Sequence, residues 1–117
     1  MAKLSRDKGK RGELEVAALL KRYGFEARRG QQFKGGPGSP DVIHNIPGFH
    51  IEVKRTEAFG LYAALEQANA EKQPHEKAMV LHRRNDKPWV IVMEAEALLF
   101  MIAYWAGVLT EGVKEYD

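Results

Sequence analysis

Asp41 follows Pro40, and Glu52-Val53-Lys54 begins eleven residues further on, so two carboxylates and an ammonium lie within a short stretch of chain. Oxygen-rich sets of this kind suit a hard divalent cation such as Mg²⁺, which keeps several of its waters and needs few protein ligands. Asp41, Glu52 and the backbone carbonyl of Val53 would be a sufficient contribution. Hydrolysis of a phosphodiester needs charge neutralised at phosphate, a water activated and the leaving oxygen stabilised, and a cation held this way supplies most of that. Lys54 suits orienting the water and holding the phosphate better than acting as general base, because two neighbouring carboxylates favour the ammonium. The pattern points to a phosphodiester-cutting enzyme.

These side chains need a strand to present them. Side chains alternate along a strand, so Phe49, Ile51 and Val53 leave one face while His50, Glu52 and Lys54 leave the other. The apolar face enters a core and the acid and base stay side by side, with His50 next to them. Asp41 to Ile46 and Phe49 to Lys54 are both β-rich and are separated by Pro47-Gly48, which predicts an antiparallel hairpin that carries Asp41 to Glu52. Between Gly30 and Ser39, four glycines and a proline in ten residues predict a mobile loop directly before the motif.

A helix from Gly9 is predicted by Val16, Leu19, Leu20 and Tyr23 at helical spacing, with Gly24 at its end. Glu13 shares the stripe of Val16, Ala17 and Leu20, so a carboxylate lies on the packed face and is a candidate fourth member of the site. Glu15 falls on the flank and reads as a solvated surface residue. Residues 1 to 8 read as a basic flexible arm, and 9 to 117 as a single domain. Further elements are a strand within Phe25 to Arg29, a helix from Leu61 to Gln73, strands at Lys77 to His82 and Trp89 to Met93, and a helix from Ala95 to Gly107. The order αβββαββα predicts an α/β fold with a mixed central sheet flanked by helices. The last helix is apolar all round but too short for the ~20 residues of a bilayer span. Its covering comes either from its own core or from a second copy of the chain.

The 117 residues carry a net charge of only +2, but the distribution is uneven. Residues 1 to 56 hold 12 Lys and Arg against 6 Asp and Glu, while 57 to 117 hold 6 against 10. An anionic partner such as nucleic acid is thus drawn to the half that holds the carboxylate motif. Lys8, Lys10, Arg11, Arg29, Lys34 and Arg55 are candidate phosphate contacts, and Phe33 and Tyr62 are candidates for stacking on exposed bases. With no cysteine, disulfides, thiolate zinc sites and cysteine nucleophiles are excluded. The four histidines lack zinc-ligand spacing, and no glycine-rich phosphate loop indicates a nucleotide cofactor. No apolar leader precedes the first helix, so a cytoplasmic or otherwise intracellular location is expected, in a cell or for a viral protein in its host.

In type and order these residues resemble the PD-(D/E)XK nuclease superfamily, and within it the archaeal-type Holliday junction resolvases. The resemblance begins at Lys8-Gly9-Lys-Arg-Gly-Glu13-Leu-Glu15 and passes through Leu20 and Gly24-Phe25 to Arg29. It continues in the Gly- and Ser-containing loop before Pro40-Asp41, in Glu52-Val53-Lys54 and in Leu61-Tyr62. It implies a restriction-endonuclease-like core in which Glu13, Asp41 and Glu52 surround Mg²⁺ or Mn²⁺ and Lys54 meets the scissile phosphate. Ser39 is a further loop contact to DNA, and Gln67 stands where some relatives place a helping glutamine. A homodimer that nicks a four-way DNA junction symmetrically is also implied. Without the resemblance, the residues leave open a flap or single-strand nuclease and a non-catalytic nucleic-acid-binding module.

Overall fold

The computed structural model describes residues 2–30 and 40–107, with side chains from residue 7 onward. Its elements are α1 (Ala2–Arg22), β1 (Ala27–Arg29), β2 (Val42–His44), β3 (Phe49–Arg55), α2 (Leu61–Glu71), β4 (Lys77–Arg83), β5 (Val90–Val92) and α3 (Ala95–Trp105). Order and class agree with the sequence reading: a mixed sheet lies between helices. Apart from Gly30, the glycine-rich loop lies outside the described residues, and with it Phe33, Lys34 and Ser39.

Strand β3 is the centre of the design. It pairs in parallel with β4, from Phe49 opposite Lys77 to Arg55 opposite Arg83, and β4 pairs antiparallel with β5. A parallel pair needs a crossover, and α2 supplies it. Ile51 and Val53 pack against Val16 and Ala17 of α1, with Val42 and Leu81 in the same cluster. On the opposite face Ala64, Leu65 and Ala68 of α2 cover Ala78 and Val80 of β4. Glu52 stands opposite Val80 in the register, so its side chain leaves on the α2 face.

Two local expectations are corrected. First, β2 and β3 do not form a hydrogen-bonded hairpin: β2 pairs antiparallel with β1, from Val42 opposite Arg29 to His44 opposite Ala27. The amide of Val53, which a hairpin partner's carbonyl would take, instead donates to Asp41 Oδ2 at 2.8 Å. The side chain of Asp41 occupies the place of a strand. Second, α1 begins at Ala2, so the stretch read as a flexible arm is helical backbone. Ala, Lys, Leu and Arg in that stretch are strong helix formers, and Gly9 and Gly12 just beyond it each cost only about 1 kcal/mol against Ala.

Helix α1 sits close on β3 because Gly12 permits it: a Cβ there would lie 2.6 Å from Cβ of Arg55. Helix α3 is different. None of its residues is buried, and Leu99 and Trp105 are 60 and 71 % exposed. The described residues cover it only in part: Ala97, Phe100, Met101 and Ala103 are half-buried, and Lys77 Nζ lies 5.1 Å from the ring centre of Phe100.

Candidate active site

Three elements and one strand edge bring the acidic residues together. Gly30 is pressed against Pro40 so closely that a Cβ would collide with the Pro40 carbonyl, and its amide donates to the carbonyl of Asp41 at 2.9 Å. That contact fixes the backbone on which Asp41 is mounted. The Asp41 carboxylate takes the amide of Val53 and is in hydrogen-bonding contact with the carboxyl of Glu52. In a strand the N–H and C=O of one residue leave on the same edge, so the Val53 carbonyl also leaves β3 on the Asp41 side.

Glu52 is 2 % exposed, and its Oε1 has no hydrogen-bond partner among the described residues. Burial is the main cause that pushes its carboxyl up to about 8, with the charges of Asp41 and Glu71 adding to it and Lys54 opposing. Glu13 comes from the α1 side and is 7 % exposed. Burial raises its carboxyl too, and the charge of Asp41 adds to that, while Arg29 Nε donates to its Oε1 at 2.6 Å and works in the opposite sense. The charge of Asp41 thus raises the carboxyls of both Glu13 and Glu52. Such an accumulation of carboxylates, one of them carrying an orphaned oxygen, is the environment that a divalent cation relieves.

Lys54 is held by α2. Its Nζ donates to Gln67 Oε1 at 2.8 Å, and Gln67 Nε2 donates in turn to Glu71 Oε1 at 3.2 Å. Lys54 and Gln67 also line a groove of about 390 Å³ with Phe59, Gly60 and Ala63. Gln67 thus lies next to Lys54 in space as well as in the sequence pattern. Glu71 was not singled out by the sequence; the signal was its position one turn after Gln67 on the same helix face.

The expected DNA contacts divide into engaged and exposed groups. Arg29 is bound to Glu13, Lys8 lies 3.5 Å from Glu57, and Arg55 is shared between Glu15 and Asn85. Lys10 and Arg11 are exposed, and Tyr62 is 79 % exposed. Glu15 is a correction. Far from being a solvated flank residue, it accepts from Arg83 Nη1 at 2.8 Å and from Trp89 Nε1 at 3.2 Å, and so ties α1 to the far end of β4 and to the segment before β5. Its partners lie 68 and 74 residues away, beyond the reach of local spacing.

The elements form an α/β fold with a mixed sheet between helices, and the acidic cluster lies at an edge of β3. Among solved structures, that of Archaeoglobus fulgidus Hjc, a Holliday junction resolvase from an archaeal hyperthermophile, determined at 1.6 Å, is similar to this chain. The two agree with a TM-score of 0.56 and 22 % identity, over 71 % of this chain and 73 % of the resolvase. At that identity the likeness establishes the fold. No protein-family model matches the chain, and no curated protein does.

Proposed function

We propose that the protein is a Mg²⁺-dependent endodeoxyribonuclease that resolves four-way DNA junctions by paired symmetric nicks, with Mn²⁺ as an alternative ion. The observation that carries this reading is the convergence of the Asp41 carboxylate on Glu52 and on the amide of Val53, within a fold like that of a junction resolvase. Asp41, Glu52 and the Val53 carbonyl would hold the cation, with Glu13 behind Asp41. When bound, the ion supplies charge neutralisation at phosphate and a more acidic water. The chain's own groups do the rest. Gln67 fixes Lys54 so that its ammonium meets the scissile phosphate without having to be ordered in the reaction. Arg29 keeps Glu13 oriented. Lys8, Lys10 and Arg11 on α1, with Tyr62 and the loop residues Phe33, Lys34 and Ser39, are the proposed DNA contacts, and branched DNA the proposed partner.

A homodimer is part of the proposal. The exposed apolar residues of α3, Leu98, Leu99, Ile102 and Trp105, are those that a second copy would cover.

The test is cleavage of matched junction, flap, single-strand and duplex substrates with and without Mg²⁺. Metal-dependent paired nicks confined to the junction are expected. End-dependent digestion would make the protein a nuclease of another kind on this fold, and junction binding without cutting would make it a binding module. Asp41→Asn should bind the junction and fail to cut it.

A further inference from the structure

Around Glu52 lies a second set of potential ligands. His50 and Glu52 leave β3 on the same face, and Glu71 reaches them from α2. Each offers one ligand atom, and the three atoms lie within 4.8 Å of one another. His50 Nε2 is 3.9 Å from Glu71 Oε2, too far for a hydrogen bond. Two donors on one ion with bonds of about 2.1 Å stand roughly 3 to 4 Å apart, so this pair is spaced as co-ligands are.

Two independent observations point into the cluster. His50 is 4 % exposed and Glu52 2 %, yet His50 Nε2 and Glu52 Oε1 both lack a hydrogen-bond partner among the described residues. Buried polar atoms are very rarely left without a partner, and an unfilled ion site is one of the few explanations. Glu71 is also already oriented: Gln67, itself bonded to Lys54, takes its Oε1 and leaves Oε2 towards His50. This is a positioned ligand with a supporting partner, as metal carboxylates usually have.

We infer that His50, Glu52 and Glu71 form a second divalent-cation site, distinct from that at Asp41 and sharing Glu52 with it, which takes an imidazole-accepting ion such as Zn²⁺, Mn²⁺ or Co²⁺ in preference to Mg²⁺. The preference follows from the donors: neutral imidazole suits zinc and the later first-row ions, whereas Mg²⁺ is held through oxygen. Glu52 would then bridge an all-oxygen site and a mixed nitrogen and oxygen site, with one oxygen available to each. The inference goes beyond the nuclease reading and depends on it only for what the second ion would do.

The test is a Zn²⁺ titration of the full chain, followed by ¹⁵N NMR of the histidine side chains and by calorimetry. One equivalent of Zn²⁺ should move the Nε2 resonance of His50, and millimolar Mg²⁺ should not. His50→Gln and Glu71→Gln should each weaken this Zn²⁺ binding at least about ten-fold, while Asp41→Asn should retain it. The inference is overturned if the His50 resonance ignores Zn²⁺, as it would if a shared proton or a water satisfied the cluster. It is also overturned if His50→Gln leaves the affinity unchanged, which would put the ion on another histidine, or if Asp41→Asn abolishes uptake as fully as His50→Gln, which would leave one site and not two. Because the readout is binding, failure to cleave DNA would leave this site standing, and failure to bind Zn²⁺ would leave the nuclease reading untouched.

Discussion

Replacing Glu52 with Gln should make the metal-free protein more stable at alkaline pH, although it removes the central residue of the site. The Glu52 carboxyl is raised from 4.5 to about 8, first by burial and then by Asp41 and Glu71, against the opposing charge of Lys54. Between those two values the folded state keeps a proton that the unfolded chain has released. Stability from the neutral carboxyl is therefore complete below pH 4.5, declines as pH rises through the window, and is gone above about 8. At about 1.4 kcal/mol per tenfold, the 4.5 to 8 interval sets a ceiling of about 5 kcal/mol on the loss. Structural relaxation and water entry reduce this, and about 2 to 3 kcal/mol is the expected effect. Gln fills the same volume and never ionises. Urea denaturation of wild type and Glu52→Gln in chelator, from pH 5 to 8.5, should show near-equal stability at pH 5. At pH 8.5 the variant should lead by that amount, roughly 10 °C in Tm. Mg²⁺ should then stabilise wild type and not the variant, since the cation takes over the role of the proton. A wild-type stability that is flat over this range, or a variant that is the less stable at pH 8.5, would refute the reasoning. Using the difference between the two proteins cancels the titration of groups remote from the site.

Other expectations follow from contacts at the site and its supports. Arg29→Ala strands the buried Glu13 and should cost about 1 to 3 kcal/mol in urea denaturation near neutral pH, with recovery as the pH falls, because Glu13, raised by burial and no longer opposed by Arg29, takes up a proton more readily. Gly30→Ala forces a Cβ into the Pro40 carbonyl. It should cost about 1 to 3 kcal/mol and, by moving Asp41, weaken Mg²⁺ binding measured by calorimetry. Glu15→Gln loses the charge shared by Arg83, Arg55 and Trp89, and should lower stability by about 1 to 2 kcal/mol while metal affinity holds. Leu99→Lys with Trp105→Lys should turn a dimer in sedimentation into a monomer that keeps its helical circular dichroism, because neither residue is buried within the chain itself.

Much of this was legible in the chain. Apolar spacing located α1 and put Glu13 on its packed face, and strand alternation put Glu52 and Lys54 together with His50. Pairing was harder to read. Pro47-Gly48 is sound turn chemistry, and the chain does turn there, but a turn fixes a change of direction and not which strand's carbonyls take the next amides. Asp41 took that place with a side chain, which no alternation pattern encodes. Glu71, marked only by its place one turn after Gln67, and the partners of Glu15 were hard to read for a related reason: their roles arise from tertiary proximity over 16 to 74 residues of separation, as in Arg29 with Glu13 or Trp89 with Glu15. Residue type identified the carboxylates, and only the crossover of α2 decided which of them would meet.

That crossover also sets when the site comes into being. Glu13, Asp41, Glu52 and Glu71 are drawn from separate elements, and β3 can align with β4 only after α2 has been laid down between them. Parallel pairing across a helix is non-local and forms late compared with a helix or a hairpin, because the loop must close before the contacts reward it. Until α2 has docked, Glu71 is not held against His50 and Glu52 of β3, and the cluster that joins the three is incomplete.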